Sequence, residues 1–453
     1  MMHTSKDAIY DLLGVGIGPS NLSTAALLNE IEGMSSHFYD AKPEFNWHPG
    51  MLFPEASIQV SYLKDLVSLV DPTNPWSFIN FLVRNKRIYR FVTAAFPCVR
   101  RKEFNQYYRW ACTGLDNLSF GTKVEALHFE RDHFVLQHEG GSRKARNIAL
   151  GTGLSKRLPH CLEPLQSGRV LHAIDFLKKQ PDYKDKRVVI IGGGQSGAEL
   201  FNHLIADTKN LPAKLHWVSG RANMLPIDDS PFANEYFFPG YSDYFFQLKR
   251  AEKKQLVQEQ NLASDGINHD LLQSIYQQLY HIEVIEGRKQ LAELLVNHRV
   301  TDTKHIEDSY TLFVQKSEQA APKTIEADIV ICATGFEYRI PALLEPLMDR
   351  IKLQEGHYVF RDDYSIEWDG PAANKIFVQN GARNARGVAD PNLSLMAWRS
   401  AKIINSVMGH EHFDMAGQSC VIDWQQTQAV SKGTNGHQHI HIPIGKSIDN
   451  DLL

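Results

Sequence analysis

The chain has 453 residues, a formal net charge of −4 and 43% apolar residues. This length predicts two or three domains with complete apolar cores. The near-neutral charge balance argues against charge-driven binding to nucleic acid or to an anionic membrane. No apolar run reaches the roughly 20 residues of a membrane-spanning helix, and the first residues lack a signal-peptide pattern. The five cysteines form no C-x-x-C pair, so neither a disulfide framework nor a zinc site is indicated. We therefore expect a cytoplasmic protein without a bound metal.

The first element that indicates chemistry is a glycine-rich loop near the N-terminus. It begins at the end of the apolar run 9–15 and contains Gly14, Gly16, Gly18 and Pro19. Strand, glycine turn and helix N-terminus in this order let the backbone approach a pyrophosphate and offer it free N–H groups. Pro19 replaces the third glycine of G-x-G-x-x-G, which a first helical turn tolerates. A helix at 21–31 and a strand at 37–40 complete the unit, and Asp40 is expected to accept hydrogen bonds from an adenine nucleotide's ribose.

A second loop of the same kind follows the apolar run 188–191. Its residues are Gly192, Gly194, Gln195, Ser196 and Gly197. One such loop is weak evidence, but two in one chain indicate two dinucleotides, usually a bound flavin and the nicotinamide that reduces it. N-terminal loops of such proteins usually take FAD, so we assign the first loop to FAD. After the second loop the next strand ends at Ser219, followed by Arg221. A hydroxyl and a cation without an acid favour the 2′-phosphate of NADPH.

The arrangement of these loops predicts the architecture. The runs 149–153 and 328–336 both read as strands that end on a glycine turn, where the chain would cross between two domains, and we expect Thr334 and Gly335 to contact a cofactor. The predicted fold is α/β, with two Rossmann-like dinucleotide-binding domains and a smaller mixed substrate-binding insert. The predicted divisions are an FAD domain at 1–165 and 330–425, an NADPH domain at 166–225 and 285–329, an insert at 226–284 and a polar tail at 426–453.

Two other stretches have weaker patterns. The stretch 47–99 is rich in aromatic residues and proline and lacks clean periodicity, so we expect an irregular excursion that covers a ligand. The tail carries His437, His439 and His441 in alternation. Because no carboxylate or cysteine pattern accompanies them, we interpret these histidines as solvated and not as metal ligands.

The residues alone leave several kinds of flavoprotein open. Electron transfer to a disulfide is disfavoured because a redox cysteine pair is absent from the sequence. Gly168, His172 and Phe176 have the G-x-x-x-H-x-x-x-F spacing of flavin monooxygenases, although Gln166 stands where those enzymes usually carry an aromatic residue. An oxidoreductase that reduces a quinone or a protein is an alternative. So is a redox-sensing or scaffold protein that binds both cofactors with negligible turnover.

Several long segments carry a closer resemblance: GVGIGPSNLS, FNWHPGM, QVSYLKDLV, DPTNPWSFINFL, VVIIGGGQSGAE, DDSPFANEYFFP, ICATGF and ADPNLSLMAWRS. Over residues 10–424 the chain resembles the lysine/ornithine N-monooxygenase family, the amine N-hydroxylases of hydroxamate siderophore biosynthesis. The resemblance implies that NADPH reduces FAD and that one oxygen atom of O2 is transferred to the terminal amine of a small substrate. It also implies a homo-oligomer, since family members are often tetramers.

The resemblance further implies roles for particular residues. It places Trp47 and His48 beside the isoalloxazine and Gln59 against the flavin and the oxygen site. It makes Lys64 the partner of an amino-acid substrate's carboxylate. Three more positions follow from it: Asn234 at the substrate's head group, and Leu393 and Ser394 where the C-terminal end closes over the flavin and the amine. Catalytic roles would then fall to Gln59, Asn234 and Ser394, and substrate binding to Lys64, Asn234 and Leu393.

The substrate is less well defined by the sequence. Ornithine-type members carry an Asn-Tyr pair where this chain reads ASDGI at 263–267, which resembles the lysine and diamine branch. Lys64 favours lysine, but a diamine enzyme could keep it unused, so lysine and the diamines putrescine and cadaverine stay open, with ornithine behind. Because a lysine-type amine has a pKa near 10.4 in water, we expect a weakly polar pocket that disfavours the ammonium. The aromatic segment 232–246 is expected to form its wall, and no residue is identified as a general base.

Overall fold

The computed structural model describes residues 8–96, 98–316, 322–416 and 419–424. The three histidines predicted to be solvated, His437, His439 and His441, lie outside these described residues. Within the described ranges, no helix combines the length and the apolar character needed to span a bilayer.

The N-terminal glycine loop lies at the end of the central strand of a seven-stranded sheet. This strand, Ile9–Val15, pairs in parallel with Ser36–Tyr39 on one side and with Gly141–Leu150 on the other. Ile376–Val378 pairs in parallel with Gly141–Leu150, so this sheet combines strands from residues 9–150 with a strand from more than 200 residues later. The remaining strands are Leu118–Ser119, Val124–Glu130 and His133–His138. The last two form an antiparallel meander with Gly141–Leu150.

The helix after this loop is Pro19–Asn29, which starts at Pro19 and not at the predicted residue 21. Proline suits a first helical position because its missing N–H would have no partner there. The helix is buried along most of its length and packs against Met396–Met408 near the C-terminus. Thr24 and Ser400 share a hydrogen bond of 3.0 Å between these two helices.

The stretch 47–99 is less irregular than predicted. It contains the helices Phe78–Arg84 and Ile88–Ala94. The first begins where the Ser77 side chain accepts a hydrogen bond from Asn80 N. This N-cap is a local signal, and a helix of seven residues is too short to produce a clear periodic pattern in the sequence. The longer helix Arg101–Gly114 follows, with an apolar face that includes Phe104, Tyr107 and Tyr108.

The second glycine loop belongs to a separate sheet of five parallel strands. In spatial order they are Ala292–Leu295, Lys214–Val218, Arg187–Ile191, Ile329–Cys332 and Val170–His172. The predicted boundary at residue 330 is therefore misplaced, because it cuts a strand that pairs on both sides within this sheet. An antiparallel sheet accompanies it, formed by His298–Ile306, Ser309–Lys316 and Lys323–Ala327.

The chain crosses between the seven-stranded and the five-stranded sheet through a pair of short strands. Ser155–Lys156 on the outward crossing pairs antiparallel with Phe336–Glu337 on the return. The Arg157 Nε donates to Thr334 O at 3.1 Å, and Arg157 N donates to Gly335 O at 3.1 Å. Both crossings are thus fixed against each other beside the predicted cofactor contacts.

The predicted insert is mainly helical. Its helices are Ala233–Phe237, Pro239–Gln247, Arg250–Glu259, Asn261–Asp265, His269–Tyr280 and His281–Ile285. The other helices of the described chain are Pro49–Met51, His160–Leu165, Ala173–Asp175, Phe176–Lys179, Gln195–Ala206, Ala342–Arg350, Arg383–Arg386 and Leu393–Leu395. A small hairpin joins Leu353–Gln354 to His357–Tyr358.

Candidate active site

The first glycine loop has the geometry that a pyrophosphate requires. Gly16 has a φ of 88°, and a Cβ added there would lie 2.3 Å from Gly151 O. Gly18 is the N-cap of the helix Pro19–Asn29 and provides no side-chain cap. A Cβ added at Gly18 would meet nothing within 4 Å. An uncapped helix N-terminus beside open space fits a phosphate group, so the residues present fit the pyrophosphate of FAD.

Asp40 is buried beneath this loop and holds it in place. Its Oδ2 accepts from Ile17 N at 2.8 Å, and its Oδ1 accepts from Lys42 N at 2.8 Å. Each carboxylate oxygen has a second lone pair, so the ribose contact stays a prediction. The structure adds a role that the sequence did not indicate, which is to fix the turn between strand and helix.

The second loop repeats this arrangement in the five-stranded sheet. Gly192 has a φ of 125°, and an added Cβ would lie 2.1 Å from Ala333 O. At Gly197 the added atom would lie 2.2 Å from Gly192 O, which also accepts from Trp217 Nε1 at 2.8 Å. Gly194 is an N-cap without a side-chain cap. The loop therefore fits a second dinucleotide.

Ser219 and Arg221 lie directly beside this second loop. Ser219 is 1% exposed, and its Oγ accepts from Arg221 N at 3.1 Å. The Arg221 Nη1 donates to Gly193 O at 3.1 Å and to Asp265 O at 2.8 Å. Ser219 therefore shapes the turn that carries Arg221, and its contact with a 2′-phosphate stays a prediction.

A cavity of about 270 Å³ lies beside the second glycine loop. Its walls come from the stretch 47–60, Arg101, the five-stranded sheet, the crossing strands and the segment 391–393. Eight of the residues singled out in the sequence line it: Trp47, His48, Gln59, His172, Gln195, Ser196, Gly335 and Leu393. The size and the mixed apolar and polar lining are typical of a small-molecule site.

Trp47 and His48 are positioned by the turn that precedes Pro49–Met51. Trp47 N donates to Asn105 Oδ1 at 2.9 Å, and the Trp47 ring packs edge-on against Tyr108 with centroids 5.5 Å apart. His48 has a left-handed φ of 49°. Its side chain is exposed at the cavity wall, where the Trp47 and Phe336 rings lie 5.4 and 6.3 Å from the imidazole. Burial, then the positive charges of Arg101 and Lys42, lowers the pKa of His48 to about 4.

This lowered pKa predicts a pH dependence of stability. The unfolded imidazole takes up a proton below about pH 6.5, whereas the folded one stays neutral until about pH 4, so this difference lowers the free energy of unfolding as the pH falls from 6.5 toward 4. We expect the urea midpoint to fall less between pH 7.5 and pH 5 in His48→Gln than in the unsubstituted protein. The exposed His410 supplies a control, His410→Gln, and equal falls in all three proteins would contradict the prediction.

Arg101 is a cavity residue that sequence reasoning missed. Its guanidinium binds both carboxylate oxygens of Glu199, at 2.8 and 3.0 Å, and Met51 O at 2.9 Å. Glu199 Oε1 also accepts from Gln195 Nε2 at 3.0 Å, and Gln195 Oε1 accepts from Asn268 N at 2.9 Å. These contacts join the helices Arg101–Gly114 and Gln195–Ala206 to each other and to the insert at the cavity. The Gln195 side chain is thus committed to protein partners.

Lys64 lies beside the cavity at a meeting point of three segments. Its Nζ donates to Ser394 Oγ at 2.9 Å and lies 5.9 Å from the centre of the Phe237 ring. Burial lowers the pKa of Lys64. Among the residues that the structure describes, no carboxylate lies within the 4.0 Å of an ion pair with this ammonium. Ser394 is held in turn by Asn392, whose Oδ1 accepts from Ser394 Oγ at 2.7 Å.

Asn234 is placed differently from the other predicted residues. It does not line the cavity, and its Nδ2 donates to Asp229 O at 2.9 Å, so its contact with a substrate head group stays a prediction. The aromatic segment around it also carries the buried Glu235, whose carboxylate accepts from Val421 N at 2.7 Å and Ile422 N at 3.0 Å. This carboxylate fastens the C-terminal segment to the insert.

Thr334 and His172 stabilise the crossing strands. Thr334 Oγ1 donates its hydroxyl proton to Arg157 O. His172 Nε2 lies 3.0 Å from Gly335 O, and His172 Nδ1 accepts from Ile174 N at 3.3 Å. Since Gly335 O accepts a hydrogen, this pattern assigns the proton to Nε2. No group of three or more histidine, cysteine or acidic side chains is arranged for a metal within the described part of the chain.

Known proteins share both the sequence and the fold. A family model for L-lysine 6-monooxygenase/L-ornithine 5-monooxygenase matches residues 8–338. An L-lysine N6-monooxygenase from Escherichia coli is 41% identical over 418 residues, which cover 92% of this chain and 98% of that protein. The crystal structure of a cadaverine monooxygenase from Erwinia amylovora bound to FAD has a TM-score of 0.88 at 30% identity, covering 93% of this chain and 100% of its own.

A second solved structure contains the nicotinamide as well. It is the ornithine N-hydroxylase of Kutzneria sp. 744 with reduced FAD, NADP⁺ and L-ornithine, with a TM-score of 0.82 at 28% identity and coverage of 89% of this chain and 99% of its own. The predicted fold of two Rossmann-like domains is confirmed by these structures, as is the pair of cofactors. The protein is an FAD- and NADPH-dependent N-hydroxylating monooxygenase, and it belongs to the L-lysine 6-monooxygenase/L-ornithine 5-monooxygenase family.

Proposed function

We propose that the enzyme hydroxylates the terminal amine of L-lysine as an early step of hydroxamate siderophore biosynthesis. The observation that carries this proposal is Lys64, a half-buried cation that pairs with no carboxylate of the described chain. A buried cation is costly without a counter-ion. The α-carboxylate of an amino-acid substrate would supply that counter-ion. Before substrate binds, the Ser394 hydroxyl at 2.9 Å orients the Lys64 ammonium.

The segment at 263–267 supports lysine over ornithine. Ala263 and Ile267 are buried in the apolar core, and the Asp265 carboxylate binds Arg383 Nη2 at 3.2 Å. The segment thus presents no free amide for the head group of a shorter amino acid. A longer side chain would place the same carboxylate at Lys64 and still bring its amine to the cavity.

A diamine is the second candidate substrate. The Erwinia amylovora enzyme, with a TM-score of 0.88, is named a cadaverine monooxygenase. Cadaverine has the carbon chain of lysine without the carboxylate, so it would reach the same cavity and leave Lys64 without a counter-ion. Lys64 would then contribute packing and not recognition.

We assign FAD to the seven-stranded sheet and NADPH to the five-stranded sheet. In this proposal the FAD domain is 1–165 with the C-terminal part of the chain, and the NADPH domain includes the strand Ile329–Cys332. Gly16 and Gly18 would hold the pyrophosphate of FAD, and Gly192 and Gly194 that of NADPH. When bound, the two cofactors supply the hydride and activate O2 for transfer of one oxygen atom to the amine.

The residues around the cavity provide binding, orientation and exclusion of water. Trp47 and Leu393 give the cavity apolar walls, which disfavour the ammonium form of the substrate and so favour the reactive free amine. The Gln59 side chain at the wall offers both a donor and an acceptor to the amine. The neutral His48 adds no positive charge that would repel a protonated substrate on entry.

We also propose a homo-oligomer. Large apolar side chains are exposed on two helices of the described chain, with Tyr89 87% and Tyr276 77% accessible. Exposed apolar surface of this kind often marks an interface between subunits.

The substrate assignment is tested by measuring hydroxylated amine with L-lysine, cadaverine, putrescine and L-ornithine, with FAD and NADPH present. We expect kcat/KM for L-lysine to exceed that for cadaverine by about tenfold or more, since a desolvated charge pair contributes about 1.5 kcal/mol or more. Peroxide is measured in parallel to separate coupled from uncoupled NADPH oxidation. A higher kcat/KM for the diamines would contradict the lysine proposal and support the second candidate.

A further inference from the structure

The turn that carries Arg221 is held by the segment that follows the edge strand of the five-stranded sheet. Ser219 N donates to Leu295 O at 2.9 Å, and His298 N donates to Ser219 O at 2.9 Å. Asn297 N donates to Arg221 O at 2.7 Å. Three backbone hydrogen bonds therefore fix the position of residue 299 relative to the turn.

Arg299 lies directly against this turn. A Cβ added at Gly220 would be 3.1 Å from Arg299 Cζ and 3.3 Å from its Nη1. The absence of a side chain at Gly220 thus lets the Arg299 guanidinium lie beside the residue that precedes Arg221. Arg221 itself is tied to the second glycine loop through Gly193 O, at 3.1 Å.

The two guanidinium groups lack acidic partners. Neither Arg221 nor Arg299 forms an ion pair with a carboxylate among the residues described in the structure. Arg299 is exposed, and its side chain donates no hydrogen bond within those residues. Arg299 lies against Gly220, the residue before Arg221, and two such cations without an acidic partner among the described residues suit a doubly charged anion, since the planar fork of arginine matches a phosphate.

We propose that Arg299 is a second cation for the 2′-phosphate of NADPH, acting together with Arg221 across Gly220. This inference rests on the proposed assignment of the 2′-phosphate to the Ser219–Arg221 turn. Arg299 determines the preference for NADPH over NADH because the two dinucleotides differ only in that phosphate. This role could not be recognised from the sequence, since Arg299 belongs to the antiparallel strand His298–Ile306 and not to the glycine-loop unit.

The test is calorimetric titration of the FAD-loaded enzyme with adenosine 2′,5′-bisphosphate and, separately, with 5′-AMP. We expect Arg299→Ala to weaken binding of the bisphosphate by about tenfold or more and to leave binding of 5′-AMP within about twofold. Lys304→Ala is the matched control, because Lys304 is an exposed cation of the same strand, about 17 Å further along at about 3.3 Å per residue. It should leave both affinities unchanged.

The variant Arg221→Ala distinguishes a failure of the role proposed for Arg299 from a failure of the proposed 2′-phosphate site itself. If Arg221→Ala weakens binding of the bisphosphate and Arg299→Ala does not, the role proposed for Arg299 is wrong, but the proposed 2′-phosphate site at the Ser219–Arg221 turn is supported. If neither substitution weakens it, the assignment of the site fails as well. An equal loss of affinity for both nucleotides in Arg299→Ala would show a structural role and overturn the inference.

Discussion

We expect Gly16→Ala to give a protein that is purified without FAD and with a clearly lower thermal unfolding midpoint. The added methyl group would stand 2.3 Å from Gly151 O, at a φ of 88° that disfavours alanine. Gly151 cannot move aside freely, because its N–H donates to Val15 O at 2.8 Å and the contact is between backbone atoms. The strands would have to separate at the point where the pyrophosphate binds. The ratio of flavin to protein absorbance after gel filtration measures the result.

Gly33→Ala is the control that separates backbone strain from lack of space. Gly33 has a φ of 81°, nearly that of Gly16, but an added Cβ there would meet nothing within 4 Å. The cost of strain alone is about 1 kcal/mol, so this variant should keep its full complement of FAD. Stoichiometric FAD in Gly16→Ala would show that the loop can yield, and would contradict the close approach on which the prediction depends.

The two loops could be predicted because their geometry is local. A strand, a glycine turn and a helix follow one another within a few residues, so the order of residue types alone determines the arrangement. Pro19 even indicates the first helical position, although the prediction placed the helix start at residue 21. The crossing at Thr334 and Gly335 was also recognisable, since the apolar run before it ends on a glycine turn. Its boundary was misplaced because an apolar run does not reveal which sheet it joins.

The contacts that assemble the cavity could not be predicted in this way. Arg101 and Glu199 are 98 residues apart, and each lies on a helix whose own pattern looks ordinary. The buried Asp40 shows the same limit, because its position after a strand indicates a ribose contact while its carboxylate also accepts from Ile17 N at 2.8 Å. Partners brought together by folding leave no periodicity or spacing in the sequence.

The contacts of the substrate's head group could not be predicted from the sequence either. Resemblance placed both Asn234 and Lys64 there, but the structure directs the Asn234 amide to Asp229 O and the Lys64 ammonium to Ser394. Which side chain meets the substrate depends on rotamers and neighbours that a motif does not contain. Lys64 is therefore the residue on which substrate recognition is best tested.

Lys64→Met should raise KM for L-lysine by about 100-fold while leaving KM for cadaverine within about threefold. The loss of a charge pair to the α-carboxylate in a partly buried site costs about 2–5 kcal/mol, whereas the unbranched methionine keeps most of the packing against Phe237. Reduction of the flavin by NADPH should proceed at an unchanged rate, because Lys64 does not line the cavity beside the second glycine loop. Steady-state hydroxylation and anaerobic stopped-flow reduction measure these effects separately.

Two further variants test whether the effect of Lys64→Met on KM depends on the α-carboxylate of L-lysine. Lys254→Met removes an exposed lysine from the outer face of the helix Arg250–Glu259 and should change neither KM. Ser394→Ala keeps the Lys64 charge but removes the 2.9 Å hydrogen bond that orients it, so it should raise KM for L-lysine by less than Lys64→Met does. If Lys64→Met raised KM for lysine and cadaverine equally, Lys64 would be maintaining the shape of the pocket. An unchanged KM for lysine would remove Lys64 from substrate binding altogether, and with it the observation that favours an amino acid over a diamine.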